Sequence, residues 1–426
     1  MSAGSRALAA PGVSAARALA DAVLDRIRVG SLIVIEDDQR RVYGSGAPCA
    51  TLQIRSPRAW PFLLRGSRGL AESYAQGLWD SPDLVALIRL AARNAVALDR
   101  VRARLAPLRV PLQRARALAI RNTPVRSRRD ISAHYDLGNR LFALMLDETM
   151  TYSCAVFERP GMTLEQAQVA KYERICEKLD LGSRDRVIEI GTGWGGFAIH
   201  AAATRGAHVT TTTISREQRE YTLTRVRDAG VGDKVTVLLE DYRDLHGSYD
   251  KLVSIEMIEA VGWQDFGTFF SRCSSLLEPD GTMLLQAITI DDRAYEVEKA
   301  GRSFINTYIF PNGCLPSLEV IAREVSRRTD MQTVSLEDLT PHYVETLTRW
   351  RERFAASARA LERLGYDERF RRLWTLYLAY CQAGFAERRI CEVQMLFAKP
   401  LRRTAADVAR ASGGGVGRTL SGAARG

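Results

Sequence analysis

The stretch Val187-Ile-Glu-Ile-Gly-Thr-Gly-Trp-Gly-Gly-Phe197 constrains the fold more than any other part of the chain. A β-compatible run ends in glycines at 191, 193, 195 and 196, and an amphipathic segment follows at once. That order reads as strand, tight turn, helix start. Glycine is needed where φ is positive or where a ligand must lie against the backbone. At the carboxyl end of a parallel strand, such a turn is where open α/β sheets hold cofactors. The spacing departs from the dinucleotide pattern G-x-G-x-x-G, because Trp194 and Gly196 break it. A cofactor loop and an ordinary strand-to-helix turn both remain open on this stretch alone.

Composition narrows the class. At 426 residues, with 46% hydrophobic and 26% charged, the chain suits two or three globular domains with ample core. It has no uninterrupted apolar run of about 18 residues, so no spanning helix is expected. Arg17 and Asp21 interrupt the Ala-rich amino terminus, which therefore lacks the apolar centre of a signal peptide. Seven scattered cysteines contain no C-x-x-C pair. Neither a disulfide framework nor a metal site is expected, and a reducing cytoplasm fits.

The net charge of +10 is uneven: residues 100–129 hold ten Arg and no Asp or Glu, and five more Arg follow residue 401 against Asp407. Such a surface suits nucleic acid or anionic phospholipid, a solvated helix face being the plainer alternative. Aromatic residues are absent between 100 and 130, so base stacking has no platform. Contact with an anionic membrane surface is expected, and nucleic acid is not.

Four segments are expected. Residues 1–95 form a small α+β domain, with strands at 31–35 and 50–54 and helical spacing at 83–93. Residues 96–130 form an Arg-rich connector broken by Pro107, Pro111 and Pro124. Residues 131–400 alternate strand and helix, with strands at 186–190, 208–214, 234–239, 251–255 and 282–288. That alternation predicts a doubly wound, mostly parallel α/β sheet. Residues 290–345 break the pattern and are expected to cover the pocket, before a helical stretch 346–390 and a strand at 393–397. The Gly-rich tail 401–426 is expected to be disordered.

Five further motifs then occur in order: His134-Tyr-Asp-Leu-Gly-Asn139, Asp147-Glu-Thr-Met-Thr-Tyr-Ser-Cys154, Thr213-Ile-Ser-Arg-Glu-Gln218, Ser254-Ile-Glu-Met-Ile-Glu-Ala-Val-Gly262 and Tyr308-Ile-Phe-Pro-Asn-Gly-Cys-Leu-Pro-Ser317. With the glycine loop, which is similar to the G-x-G-x-G loop of S-adenosylmethionine-dependent methyltransferases, they resemble the cyclopropane-fatty-acyl-phospholipid synthases and mycolic-acid methyltransferases. The resemblance covers about 131–398. A weaker one, in Gly69-Leu-Ala-Glu-Ser-Tyr-Ala-Gln-Gly-Leu-Trp-Asp80, is to the amino-terminal domain of the phospholipid-acting members.

The resemblance implies a Rossmann-like fold and transfer of a methyl group from S-adenosylmethionine to the double bond of an unsaturated phospholipid acyl chain. Proton loss then leaves a cyclopropane or a methylene branch. It also implies a homodimer peripheral to the inner membrane face and, for a methyl branch, a partner reductase. Cofactor contacts fall on Tyr152, Ser153, Glu189, Gly191, Gly193, Ile214, Gln218 and Tyr242. The family's bicarbonate ligands fall on Cys154, Glu259, the backbone of Ile288, and Tyr343, with Cys381 near the site.

The chain departs from the family pattern at three positions. Gln286 stands where the family has His on the fifth strand; Gln orients a ligand but cannot take up a proton. Ala260 replaces the usual His after Glu259, and Glu256 replaces a small residue. Two nearby carboxyls can push one pKa upward and make a base. Glu256 is therefore expected to compensate in part for the missing His.

Plainer readings stand beside these. Cys154 and Cys381 are residue types that usually sit in a core. Nothing marks Cys154 as a nucleophile. Gln218, Tyr242, Tyr343, Trp194 and Phe197 could equally be packing residues. Two rival functions remain: a methyltransferase for a small metabolite or RNA, and a non-catalytic lipid-binding protein.

Overall fold

The computed structural model describes residues 11–105, 138–300, 303–311 and 313–403. His134, most of the Arg-rich connector and nearly all of the tail lie outside them.

The amino-terminal domain is built on four strands, β1 Gly30–Glu36, β2 Gln39–Ser45, β3 Cys49–Ile54 and β4 Trp79–Asp80, in the order β2-β1-β3-β4. On β1 and β3 alternate residues are buried, as a sheet with one covered face requires. Helices Pro11–Leu24, Gly66–Ala75 and Leu84–Leu105 accompany the sheet. The last of these continues ten residues past 95, so the segment expected as connector begins as helix.

The larger domain holds β5 Arg186–Ile190, β6 His208–Thr212, β7 Val235–Leu238, β8 Tyr249–Ile255, β9 Leu277–Ile290, β10 Gln332–Asp338 and β11 Ile390–Ala398. Their order is β10-β11-β9-β8-β5-β6-β7. Strands β5 to β9 pair in parallel, and β10 and β11 add antiparallel strands at one edge. β5 and β8 are neighbours although two strands separate them in sequence, so the order reverses there. Crevices at such switch points take ligands. β10 lies within 290–345 and was not expected; its largely exposed polar and acidic face carries no buried alternation to betray it.

Local chemistry starts the helices that shape the site. Thr163 and Gln166 form a reciprocal cap on Leu164–Leu179, Ser215 caps Arg216–Asp228, and Asp367 caps Glu368–Ala386. Each cap contributes about 1 kcal/mol.

The two domains share one apolar core. Trp60, Leu87 and Ile88 from the first cluster with Trp350, Trp374 and Tyr377 from the second. Polar clamps fix the contact. Arg89 and Arg93 each place Nε 2.7 Å from a different oxygen of Glu387. Arg372 donates to the carbonyls of Tyr74 (2.7 Å) and Trp79 (2.9 Å).

Candidate active site

The glycine turn leaves β5 with φ of 104° at Gly191 and 53° at Gly193. Its later glycines are there for packing. A Cβ on Gly195 would lie 2.6 Å from Thr222 Cγ2, and one on Gly196 would lie 2.2 Å from the Tyr172 hydroxyl. Gly193 differs: a Cβ there would meet nothing within 4 Å. The open space beside it belongs to a cavity of about 880 Å³.

Around that turn, Glu189, Gly191, Gly193, Ile214, Gln218 and Tyr242 all line the cavity, as do Tyr152 and Ser153. Glu189 accepts from Thr211 Oγ1 at 2.6 Å, and burial pushes its carboxyl up to about 8. Gln218 is held by Thr213 Oγ1, which donates to its Oε1 at 2.7 Å. The Tyr242 hydroxyl is buried without a hydrogen-bond partner. Such a group is costly to leave unmatched, by about 1–3 kcal/mol. Tyr152 and Tyr377 share a hydrogen bond of 2.7 Å, and Lys171 Nζ donates to Ser153 Oγ at 2.7 Å. An open wall at Gly193 with an orphaned polar group opposite suits an adenosyl cofactor.

The second part of the site lies past β8. Glu256 accepts three hydrogen bonds: from the backbone N–H of Cys154 (2.7 Å), from Gln286 Nε2 (3.0 Å) and from the Tyr343 hydroxyl (2.5 Å). Its φ of 48° lies in the left-handed region, which costs a non-glycine residue about 1 kcal/mol or more. Glu259 accepts from the Ile288 N–H at 2.6 Å, while its other oxygen has no partner. Both carboxyls face the cavity and are enclosed by protein. Burial, then the charge of Glu256, pushes Glu259 up to about 8.

Of the groups expected to hold bicarbonate, the Cys154 N–H and the Tyr343 hydroxyl thus donate to Glu256 and the Ile288 N–H to Glu259, and Gln286 is likewise engaged by Glu256. The arrangement does not fit a bound bicarbonate. Two of the expected roles change with it. The Cys154 thiol is fully buried and donates to the carbonyls of Ala155 and Leu339, away from the cavity; only its backbone N–H serves the site. Burial raises that thiol well above its ordinary value, so it stays protonated. Gln286 is fully buried behind Glu256 and does not line the cavity. Ile288, Tyr343 and Cys381 do line it, and burial pushes Cys381 up to about 12.

Behind Glu256 runs a polar chain that sequence reasoning did not find. Lys178 Nζ donates to Gln394 Oε1 (2.6 Å), and Gln394 Nε2 donates to Gln286 Oε1 (2.9 Å), which turns the Gln286 amide N–H toward Glu256. Each link favours negative charge on that carboxylate. Glu392, beside Gln394 on β11, is fully buried with neither oxygen in a hydrogen bond of normal geometry. Burial and the nearby charges of Glu256 and Glu259 hold it well above the carboxylate range, so it is a neutral acid. The available signal was Glu392 and Gln394 interrupting an otherwise apolar strand.

Past the carboxyls the cavity continues into the amino-terminal domain. Leu32, Leu52, Trp60, Leu87, Ile88 and Ala92 line it there. Val23 and Leu64 also line it and are 49% and 37% exposed, which marks its outer end. Leu32, Leu52, Leu87, Ile88 and Ala92 fall on the expected strands and helix, but apolar periodicity does not distinguish core from tunnel wall.

A parallel sheet with a glycine turn at its switch point and a buried polar nest beside it defines a cofactor-dependent transferase of the Rossmann-like class. A solved mycolic acid cyclopropane synthase, complexed with SAH and CTAB, superposes with a TM-score of 0.60 at 32% identity, covering 64% of this chain and 98% of that one. The sequence model of the mycolic acid cyclopropane synthetase family matches residues 122–395, and the chain belongs to that family. Among its relatives, the tuberculostearic acid methyltransferase of Mycobacterium tuberculosis is 40% identical over 362 residues, 81% of this chain and 84% of that protein. The cyclopropane-fatty-acyl-phospholipid synthase of Escherichia coli is 36% identical over 358 residues, 83% of this chain and 89% of that protein. The chain is accordingly an S-adenosylmethionine-dependent enzyme.

Proposed function

We propose that the protein adds a one-carbon unit to the double bond of an unsaturated acyl chain carried by a membrane phospholipid. The observation that carries this reading is the single cavity that joins the glycine turn, the two carboxyls and the apolar wall of the amino-terminal domain. A small metabolite or a nucleic acid would leave that wall unfilled.

When bound, the cofactor supplies an electrophilic methyl group. Gly191, Gly193, Gln218 and Tyr242 would hold it; Leu32, Trp60, Leu87 and Ile88 would hold the acyl chain. An alkene is a weak nucleophile, so alignment and exclusion of water are the main service of these walls. The positive charge that develops on the acyl chain meets Glu256 and Glu259 in a site with little water, where fixed charges act strongly. Loss of a proton ends the reaction as a ring or as a methylene branch. The similarity to the tuberculostearic acid methyltransferase supports the branched outcome, which a separate reductase would saturate.

No helix among the described residues is long and apolar enough to cross a membrane. Peripheral attachment is the corresponding proposal, supported by the exposed Val23 and Leu64 at the outer end of the cavity, by the exposed Leu19 on the same helix as Val23, and by the ten Arg of residues 100–129. Purified protein, methyl-labelled S-adenosylmethionine and oleoyl phospholipid vesicles test the function. The expected result is an acyl chain heavier by one carbon; label transfer to added RNA or small amines, with none to lipid, would replace this reading.

A further inference from the structure

Glu256 is placed as a ligand is placed. Its carboxylate sits in a nest of three donors from three distant segments, Cys154 N–H, Gln286 Nε2 and Tyr343 Oη. Its own backbone holds a left-handed conformation that glycine would adopt freely. A residue kept in an unfavourable conformation while its side chain satisfies three donors from separate segments is there for the side chain. Removing the carboxylate, with glycine in its place, would leave an empty, positively polarised hole shaped for a small carboxylate.

Resting on the reaction proposed above, we infer that Glu256 is a built-in replacement for a free bicarbonate-like anion, and that it is the base that receives the proton released from the acyl chain. A C–H bond of the transferred methyl breaks, either across from the neighbouring cationic carbon to close a ring or, after a hydride shift has moved the cation to the methyl-bearing carbon, beside it to leave a methylene. Its electron pair becomes the new C–C or C=C bond, and the proton passes to a Glu256 oxygen. No external anion or other co-reactant enters the balance.

Glu256 suits this role better than its neighbours. A base must be ionised; burial raises Glu256 above the ordinary carboxylate value, while the hydrogen bonds from Tyr343 and the Cys154 N–H and the charge of Lys171 oppose that rise and favour its ionised form over that of its neighbours. Glu259 has one donor and the charge of Glu256 beside it, and it keeps its proton up to about 8. Glu392 is buried and neutral. Lys171 is the cation facing this group, its amine lowered to about 8 mainly by burial. Tyr343, its hydroxyl donated to Glu256, has a pKa raised by burial and stays protonated.

The test uses the full-length protein and two variants, Glu256→Gly and Glu256→Gln. Wild-type turnover should be unchanged in buffer scrubbed of carbon dioxide. Glu256→Gly should fold, bind S-adenosylmethionine with unchanged affinity by calorimetry, and turn over about 100-fold or more slowly. Added formate, acetate or bicarbonate should raise its melting temperature and restore part of its rate. Glu256→Gln fills the nest with an amide, so it should be slow and should respond to no anion. Wild-type activity that disappears without bicarbonate, or Glu256→Gly that is active without an anion and is not stabilised by one, overturns the inference. The thermal response to anions needs no turnover, so it judges the nest even if oleoyl phospholipid proves to be the wrong substrate.

Discussion

Ile288 N–H points at Glu259 Oε1 across 2.6 Å, and backbone N–H groups, that of Ile288 first, favour the ionised form of a carboxyl otherwise surrounded by protein. The result is a carboxyl that titrates near 8. Its ionisation adds a second negative charge to the wall facing the cationic chain. Turnover should therefore rise as pH increases through about 8. Glu259→Gln should remove that rise and lower the rate at high pH by roughly 10- to 100-fold. A pH–rate profile with the same upper limb in the variant would show that another group titrates.

Stability should move the opposite way. Glu189 and Glu259 are each raised from 4.5 to about 8, chiefly by burial. Between those values the native state keeps protons that the unfolded chain has released, so stability falls as pH rises. Their contribution is complete below 4.5 and gone above about 8. Urea titrations at several pH values should give a slope that Glu189→Gln makes shallower; a steeper slope would reverse the assignment.

Two neighbouring glycines should respond differently to alanine. Gly193→Ala adds a Cβ where there is open cavity and imposes a positive φ, so its main loss should be in cofactor affinity, by about tenfold, with about 1 kcal/mol of backbone strain. Gly196→Ala drives a Cβ into the Tyr172 hydroxyl and should cost about 1–3 kcal/mol of stability. Calorimetric cofactor binding and thermal melts separate the two effects.

Filling the far branch of the cavity should block lipid and spare cofactor. Ala92 lines that branch from the Leu84–Leu105 helix. Ala92→Phe should raise KM for oleoyl phospholipid at least tenfold while the dissociation constant for S-adenosylmethionine stays put. Unchanged lipid kinetics would mean that the acyl chain does not enter the amino-terminal domain.

The parts of the fold that were legible are those whose signal is local. β5, its glycine turn and the helix after it are contiguous, and so were read within a residue or two. Strand β6 ends at Thr212 and not at residue 214, because the chain turns away to place Ser215 as a helix cap. The polar nest was legible only as a set of residue types. Glu256 and the Cys154 N–H that it accepts are 102 positions apart, and no periodicity links them. Cys154 and Tyr343, expected to hold an inorganic anion, instead donate to a side chain of the same protein. Trp60 and Leu87 were legible as apolar residues, while their place on a cavity wall depends on the docking of two domains through Arg89, Arg93 and Glu387.

The continuous passage from Val23 and Leu64 to Glu256 has a consequence for selectivity. A tail fed in from its outer end travels a set length before any of its carbons reaches the carboxylates. The passage is therefore a ruler. For the proposed phospholipid substrate it would select alkenes by how many methylenes separate them from the glycerol ester, and a lipid whose unsaturation lies a few carbons nearer or farther would bind and leave unaltered.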